Sequence, residues 1–272
     1  MGKVICIGLG PGDPELMSVK AHRLLTGAQH VAFFRKPGRR GQARTIVDGI
    51  MAETAVEHAM EYPVTTEIHF SDPDYNRLLS AFYDDWADRL TDLAQSEDVI
   101  VLCEGDPFFY GSFMHLHSRL QGRAEVEIVP GITGMSGCWT ATGHPITWGD
   151  DVLTVLMATL DEEELATRAA NTDALVVMKI GRNLDKLKRA LTKAGRLQDA
   201  WLVEKGTMAG QTVQKLGRGG GHDGLGARCR PWPRRRGAGH ARGARHRGRG
   251  DRYCRLHPLC APDCPARRAD PA

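Results

Sequence analysis

A chain of 272 residues has room for one large or two medium-sized domains, and its 42% hydrophobic and 25% charged residues exclude a fibrous or wholly disordered polymer. The net charge of +3 is an average of two unlike pieces: residues 1–216 hold 22 Lys and Arg against 29 Asp and Glu, whereas residues 217–272 hold 14 Arg and no Lys against 4 Asp and no Glu. No apolar run approaches the ~18 residues of a membrane-spanning helix, and the N-terminus enters a strand without a charged-then-apolar leader, so the default location is the cytoplasm.

In chain order, Lys3–Gly8 reads as a strand of fully buried type, ended by glycine. Ser18–Thr26 reads as a helix with Ser18 as N-cap and Gly27 closing it. His30–Phe34 is a second strand, residues 35–44 a basic, glycine-rich loop, and Ala43–Ala52 a short helix. Leu78, Leu79, Phe82, Trp86, Leu90 and Leu93 mark an amphipathic helix over 74–95. Strand Asp98–Cys103, helix Ser112–Arg119 and strand Val126–Val129 follow, and Pro130-Gly131-Ile132-Thr133 turns into another helix. The pattern restarts near His144-Pro145: strand Asp151–Met157, helix Asp161–Ala169, strand Ala174–Met178, helix Leu184–Ala194, strand Ala200–Val203 and an edge strand Thr212–Leu216. Such strand–helix alternation predicts an α/β fold with mostly parallel sheets, divided into domains at 1–147 and 148–216.

Residues 217–272 change language to Arg, Gly, Pro, Ala, His and Cys, a composition that cannot bury enough apolar surface to offset its ordering entropy. A disordered, arginine-rich nucleic-acid tail, a low-complexity linker and a GC-rich reading frame other than the true one compete as explanations. The abrupt switch inside an unfinished domain favours the last. Cys229, Cys254, Cys260 and Cys264 lack zinc-site spacing. Cys6 and Cys138 read as small buried hydrophobes. Cys103 lies beside a loop with no histidine placed as its base. No metal cluster is evident before residue 217.

Two loops carry the chemistry. Gly8-Leu-Gly-Pro-Gly-Asp-Pro14 and Glu104-Gly-Asp-Pro-Phe108 each follow an apolar strand, the place where open α/β sheets hold ligands. Pro11 removes an N–H and fixes φ where a dinucleotide fingerprint needs a phosphate-cradling turn, so a pyrophosphate ligand is disfavoured. These loops, with Pro130-Gly-Ile-Thr133 and Val177-Met-Lys179 in the same order, resemble the tetrapyrrole methylase family, the S-adenosylmethionine-dependent enzymes of corrin and sirohaem synthesis. The resemblance covers residues 1 to about 216. Within the family, the stretch from Glu104 to Leu120 and Gly134-Met-Ser-Gly-Cys138 are most similar to the precorrin-2 C20-methyltransferases.

The resemblance implies two α/β domains with the cofactor, S-adenosylmethionine, in the cleft between them, and a homodimer. It implies cofactor contacts from Pro11; from Glu104, Gly105, Asp106, Phe109 and Tyr110; from Thr133 and Gly134; and from Met178, Lys179, Met208 and Ala209. It also implies one or two further strands closing the second sheet, where this chain has its basic tail. A tetrapyrrole carries many carboxylates, for which Arg35, Lys36, Arg39, Arg40 and Arg44 form a candidate clamp. Methylation of a meso carbon releases a proton, and Tyr110, His115, His117 and Asp13 are candidates for its base. His115 and His117, two apart on a helix, cannot both face the cleft. Other acceptors within the family, an inactive product of a damaged frame, and RNA binding through the arginine tail stand as alternatives.

Overall fold

The computed structural model describes residues 1–64 and 73–217, which belong to one compact unit. The predicted tail from residue 218 onward lies outside the described residues.

Five strands form a parallel sheet: β1 (Val4–Gly8), β2 (His30–Arg35), β3 (Val56–Glu61), β4 (Val99–Cys103) and β5 (Val126–Val129), in the order β3-β2-β4-β1-β5. The central strands β1 and β4 are buried at every residue because helices cover both faces. Alternate residues divide between two cores. Val4, Cys6, Val99, Val101 and Cys103 pack with α3 (Pro73–Leu93) and α4 (Phe113–Leu120), through Phe82, Trp86, Leu90, Phe113 and Leu116. Ile5, Ile7, Ile100 and Leu102 pack with α1 (Val19–Thr26) and α2 (Gln42–Ile46), through Ala21, Leu25, Ala43 and Ile46. The α1 cap is as predicted: Ser18 Oγ accepts from the Ala21 N–H at 3.1 Å, and Gly27 closes the helix.

Three readings are corrected. Strand β3 went unpredicted: of its six residues only Met60 is buried, so this edge strand lacks the apolar alternation that announces a strand. Helix α2 ends at Ile46 rather than Ala52, giving way to turns before Gly49, whose φ of 74° no helix accommodates. Cys138, on α5 (Gly134–Ala141), is half-buried rather than buried, against Gly206.

Beyond residue 150 the strands pair in twos. β6 (Leu153–Met157) and β7 (Ala174–Met178) are parallel, joined by α6 (Glu162–Ala170). After α7 (Leu184–Lys193), β8 (Trp201–Glu204) pairs antiparallel with β9 (Thr212–Lys215). Most residues of β6 and β7 are only half-buried, over small cores built on Leu156, Leu165 and Ala190 and on Ala169, Leu187 and Leu191.

Candidate active site

Since β1, β4 and β5 are neighbours and parallel, the turns after them emerge side by side at the carboxyl edge of the sheet. The ladder runs on past the strands: the Leu9 N–H donates to Cys103 O at 2.9 Å and the Gly105 N–H to Gly10 O at 2.8 Å. Gly10 and Gly105 hold φ of 80° and 65°, a region open to glycine at little cost. The third turn lies directly on the other two. A Cβ on Gly131 would stand 2.1 Å from Gly105 O, and one on Gly8 would stand 2.6 Å from the Gly131 nitrogen. Asp106 ties the group together: Oδ1 accepts from the Phe108 N–H at 2.9 Å, and Oδ2 from the Gly131 N–H at 3.1 Å.

The opposite wall is made by side chains. Met178 ends β7 and Lys179 follows it, and Met208 in the β8–β9 connection lies over Gly12, where a Cβ would be 2.3 Å from Met208 Cγ. Gln42 Nε2 meets Met208 Sδ at 3.5 Å, and the Asp13 N–H donates to Thr207 Oγ1 at 3.2 Å. Among the described residues, the non-glycine residues at positive φ are Tyr110, Lys179, Lys205 and Thr207. The first two line the cavity, with Lys179 Nζ 5.9 Å from the Tyr110 ring centroid, and the others lie just before Met208 in the chain. Backbone held in this costly region clusters at ligand clamps.

Between the walls is a cavity of about 720 Å³, the size of a small-molecule site. Ten of the twelve residues expected at the cofactor line it: Pro11, Glu104, Gly105, Asp106, Phe109, Tyr110, Gly134, Met178, Lys179 and Met208. Thr133, at the N-terminus of α5, and the exposed Ala209 are not in the lining. Glu104 stands open to the cavity, yet surrounding protein desolvates it and raises its carboxyl above the usual range, partly offset by the Ala43 N–H.

Of the candidate bases, Tyr110 lines the cavity, whereas Asp13, His115 and His117 do not. Asp13 is a cap, its Oδ1 accepting from the Glu15 N–H at 2.9 Å. His115 stacks on Tyr83 at 4.8 Å, and burial, with Arg119 and Lys179 nearby, lowers its pKa. His117 packs edge-on to Phe108.

The basic loop divides as well. Arg35, Lys36, Arg39 and Arg40 reach the cavity. Arg44 is removed from the clamp because its guanidinium is bound to Glu57 at 2.7 and 2.9 Å and to Asp48 at 2.7 Å, away from the lining. Arg40 also pairs with Asp48, and Arg35 with Glu61 at 2.9 Å, but Arg35 Nε is buried without an acceptor. Lys36 and Arg39 are exposed and form no ion pair among the described residues. Sequence reasoning missed Phe34, Gln42, Tyr62 and Ser112 in the lining. Tyr62 bonds Ser112 Oγ and is pushed up in pKa by burial. It follows β3, and without that strand nothing marked it.

Three proline- and glycine-shaped turns of a parallel sheet, closed over by a second set of strands, define a small-molecule enzyme of the α/β class. The model of the Tetrapyrrole (Corrin/Porphyrin) Methylases matches residues 3–218. The chain is 49% identical over 217 residues to a precorrin-2 C(20)-methyltransferase of Sinorhizobium, covering 79% of this chain and 89% of that one. It is 43% identical over 208 residues to the cobalamin biosynthesis protein CobIJ of Mycobacterium bovis, covering 76% of this chain and 41% of that longer protein. Among solved structures, the cobalt precorrin-4 methyltransferase CbiF superposes with a TM-score of 0.57 at 21% identity, covering 79% of this chain and 84% of that one. A Thermus thermophilus uroporphyrin-III C-methyltransferase complexed with S-adenosyl homocysteine superposes with a TM-score of 0.55 at 23% identity, covering 79% and 89%. The chain belongs to the tetrapyrrole methylase family and is an S-adenosylmethionine-dependent methyltransferase. No helix among the described residues is long and apolar enough to cross a membrane.

Proposed function

We propose that this protein transfers a methyl group from S-adenosylmethionine to C20 of precorrin-2 in cobalamin synthesis, as a cytoplasmic homodimer whose domains 1–147 and 148–216 flank the cofactor. The observation that carries the reading is the cavity shared by the first two turns and Gly134, with Lys36 and Arg39 exposed in its lining. The residues fit the cofactor. Gly10, Gly105 and Gly134 line the cavity without side chains, so a ligand can approach their peptide groups directly. When bound, S-adenosylmethionine supplies a methyl already activated on sulfur. The protein has to aim the acceptor carbon along the S–CH₃ bond and exclude water, and orientation of this kind is worth about 7–11 kcal/mol of barrier. Lys36 and Arg39 would take substrate carboxylates.

Two measurements test this. Calorimetry should show S-adenosylhomocysteine binding to the purified chain, and mass spectrometry should show one added methyl on precorrin-2 but not on uroporphyrinogen III. Turnover of uroporphyrinogen III instead would reassign the acceptor, and a flat titration would remove the cofactor assignment.

A further inference from the structure

The cavity wall contains few groups able to accept a proton, and the structure separates them. Arg35, Lys36, Arg39, Arg40 and Lys179 bring hydrogen-bond donors and no acceptor, and the Tyr62 phenol, pushed up in pKa by burial, is bonded to Ser112. The Cys103 thiol is buried and directed at Glu104 O, 3.7 Å away. Two carboxylates remain. Asp106 has each oxygen engaged by a backbone N–H, Oδ1 by Phe108 and Oδ2 by Gly131. Glu104 pairs with no side chain among the described residues and faces the cavity. The histidines and Asp13 that the sequence suggested lie outside the lining.

We infer that Glu104 is the general base that removes the proton displaced from the methylated carbon. The inference rests on the C20 reading, since only an acceptor carbon bearing hydrogen needs such a base. A π-electron pair of the bridge carbon forms the new C–CH₃ bond, while the S–CH₃ pair leaves with sulfur as a neutral thioether. The carbon then carries both hydrogen and methyl, and the macrocycle carries one positive charge. The Glu104 carboxylate takes that hydrogen as a proton, and the C–H pair returns to the conjugated system. The burial that lifts the Glu104 carboxyl makes it a stronger base than a solvated glutamate, and the Ala43 N–H opposes that lift in part.

Glu104→Gln keeps the shape and removes the basic oxygen. With precorrin-2 and S-adenosylmethionine, this variant should lose about 10²–10⁴-fold in kcat, the usual worth of a general base. It should bind S-adenosylhomocysteine by calorimetry as the wild type does. The acid limb of the wild-type kcat/KM–pH profile should be absent from the variant. In the wild type alone, that limb should coincide with the titration of the Glu104 carboxyl followed by carbon-13 NMR, a readout that holds even if the variant misfolds. Unchanged kcat in the variant, a persisting acid limb, a limb displaced from the titration, or cofactor affinity lost in step with kcat would each overturn the assignment. A wild type that methylates another acceptor, or none, would bring down the C20 reading and this inference with it.

Discussion

The five-stranded sheet and the paired strands β6–β9 face each other across the cavity, but they are built differently. In the first, β1 and β4 are buried from end to end between two helix layers, and the turns that reach the cavity are locked by main chain against main chain. In the second, β6 and β7 are mostly half-buried, and the wall is made of Met178, Lys179 and Met208 side chains. The difference assigns labour. One wall is preformed and rigid, and the other can adjust around what enters, since methionine fills irregular space and thinly buried elements open at lower free energy.

The sharpest way to break this comparison is to hollow out the rigid side. Phe113, fully buried between α4 and the sheet, should cost about 3–5 kcal/mol as Phe113→Ala, read by denaturant midpoint at constant slope. Leu165→Ala on α6 should cost less, about 2 kcal/mol, because the half-buried surroundings collapse or admit water more readily. It should speed hydrogen exchange in β6 and β7 while leaving β4 protected; equal acceleration in β4 would mean that the two sides unfold as one. The smallest effect is expected at Arg44→Ala, about 0.2–1 kcal/mol for a partly exposed pair. Arg44 holds the Glu57 carboxyl below its usual range. The pair's stabilisation is therefore present above the ordinary carboxylate value and disappears as pH falls through the lowered one, so wild type and variant should melt alike in strong acid. Arg44→Ala should leave the KM for precorrin-2 unchanged, whereas Arg39→Ala should raise it.

The preformed wall was the more legible half. Gly8, Gly10, Pro11, Gly105 and Gly131 announce turns through their own conformational chemistry, and β1 and β4 through unbroken apolar runs. The edge strand β3 was not legible, since one buried methionine leaves no pattern, and two errors grew from it. Tyr62, just beyond the strand, was missed, and Arg44 was counted in the clamp because its partner Glu57 sits on that strand. The hydrogen bond from the Gly131 N–H to Asp106 joins turns 25 residues apart, so nothing local could show which of the two carboxylates is held across the turns.

The close stacking of Gly8, Gly105 and Gly131 also bears on how such an enzyme can change. These three positions offer almost nothing for mutation to replace, because a side chain at Gly8 or Gly131 collides with backbone and one at Gly105 is strained by its φ of 65°. Changes in what enters the cavity are open instead to the side chains of the collar, from Arg35 to Ile46 and at Tyr62, while the stacked turns stay as inherited hardware.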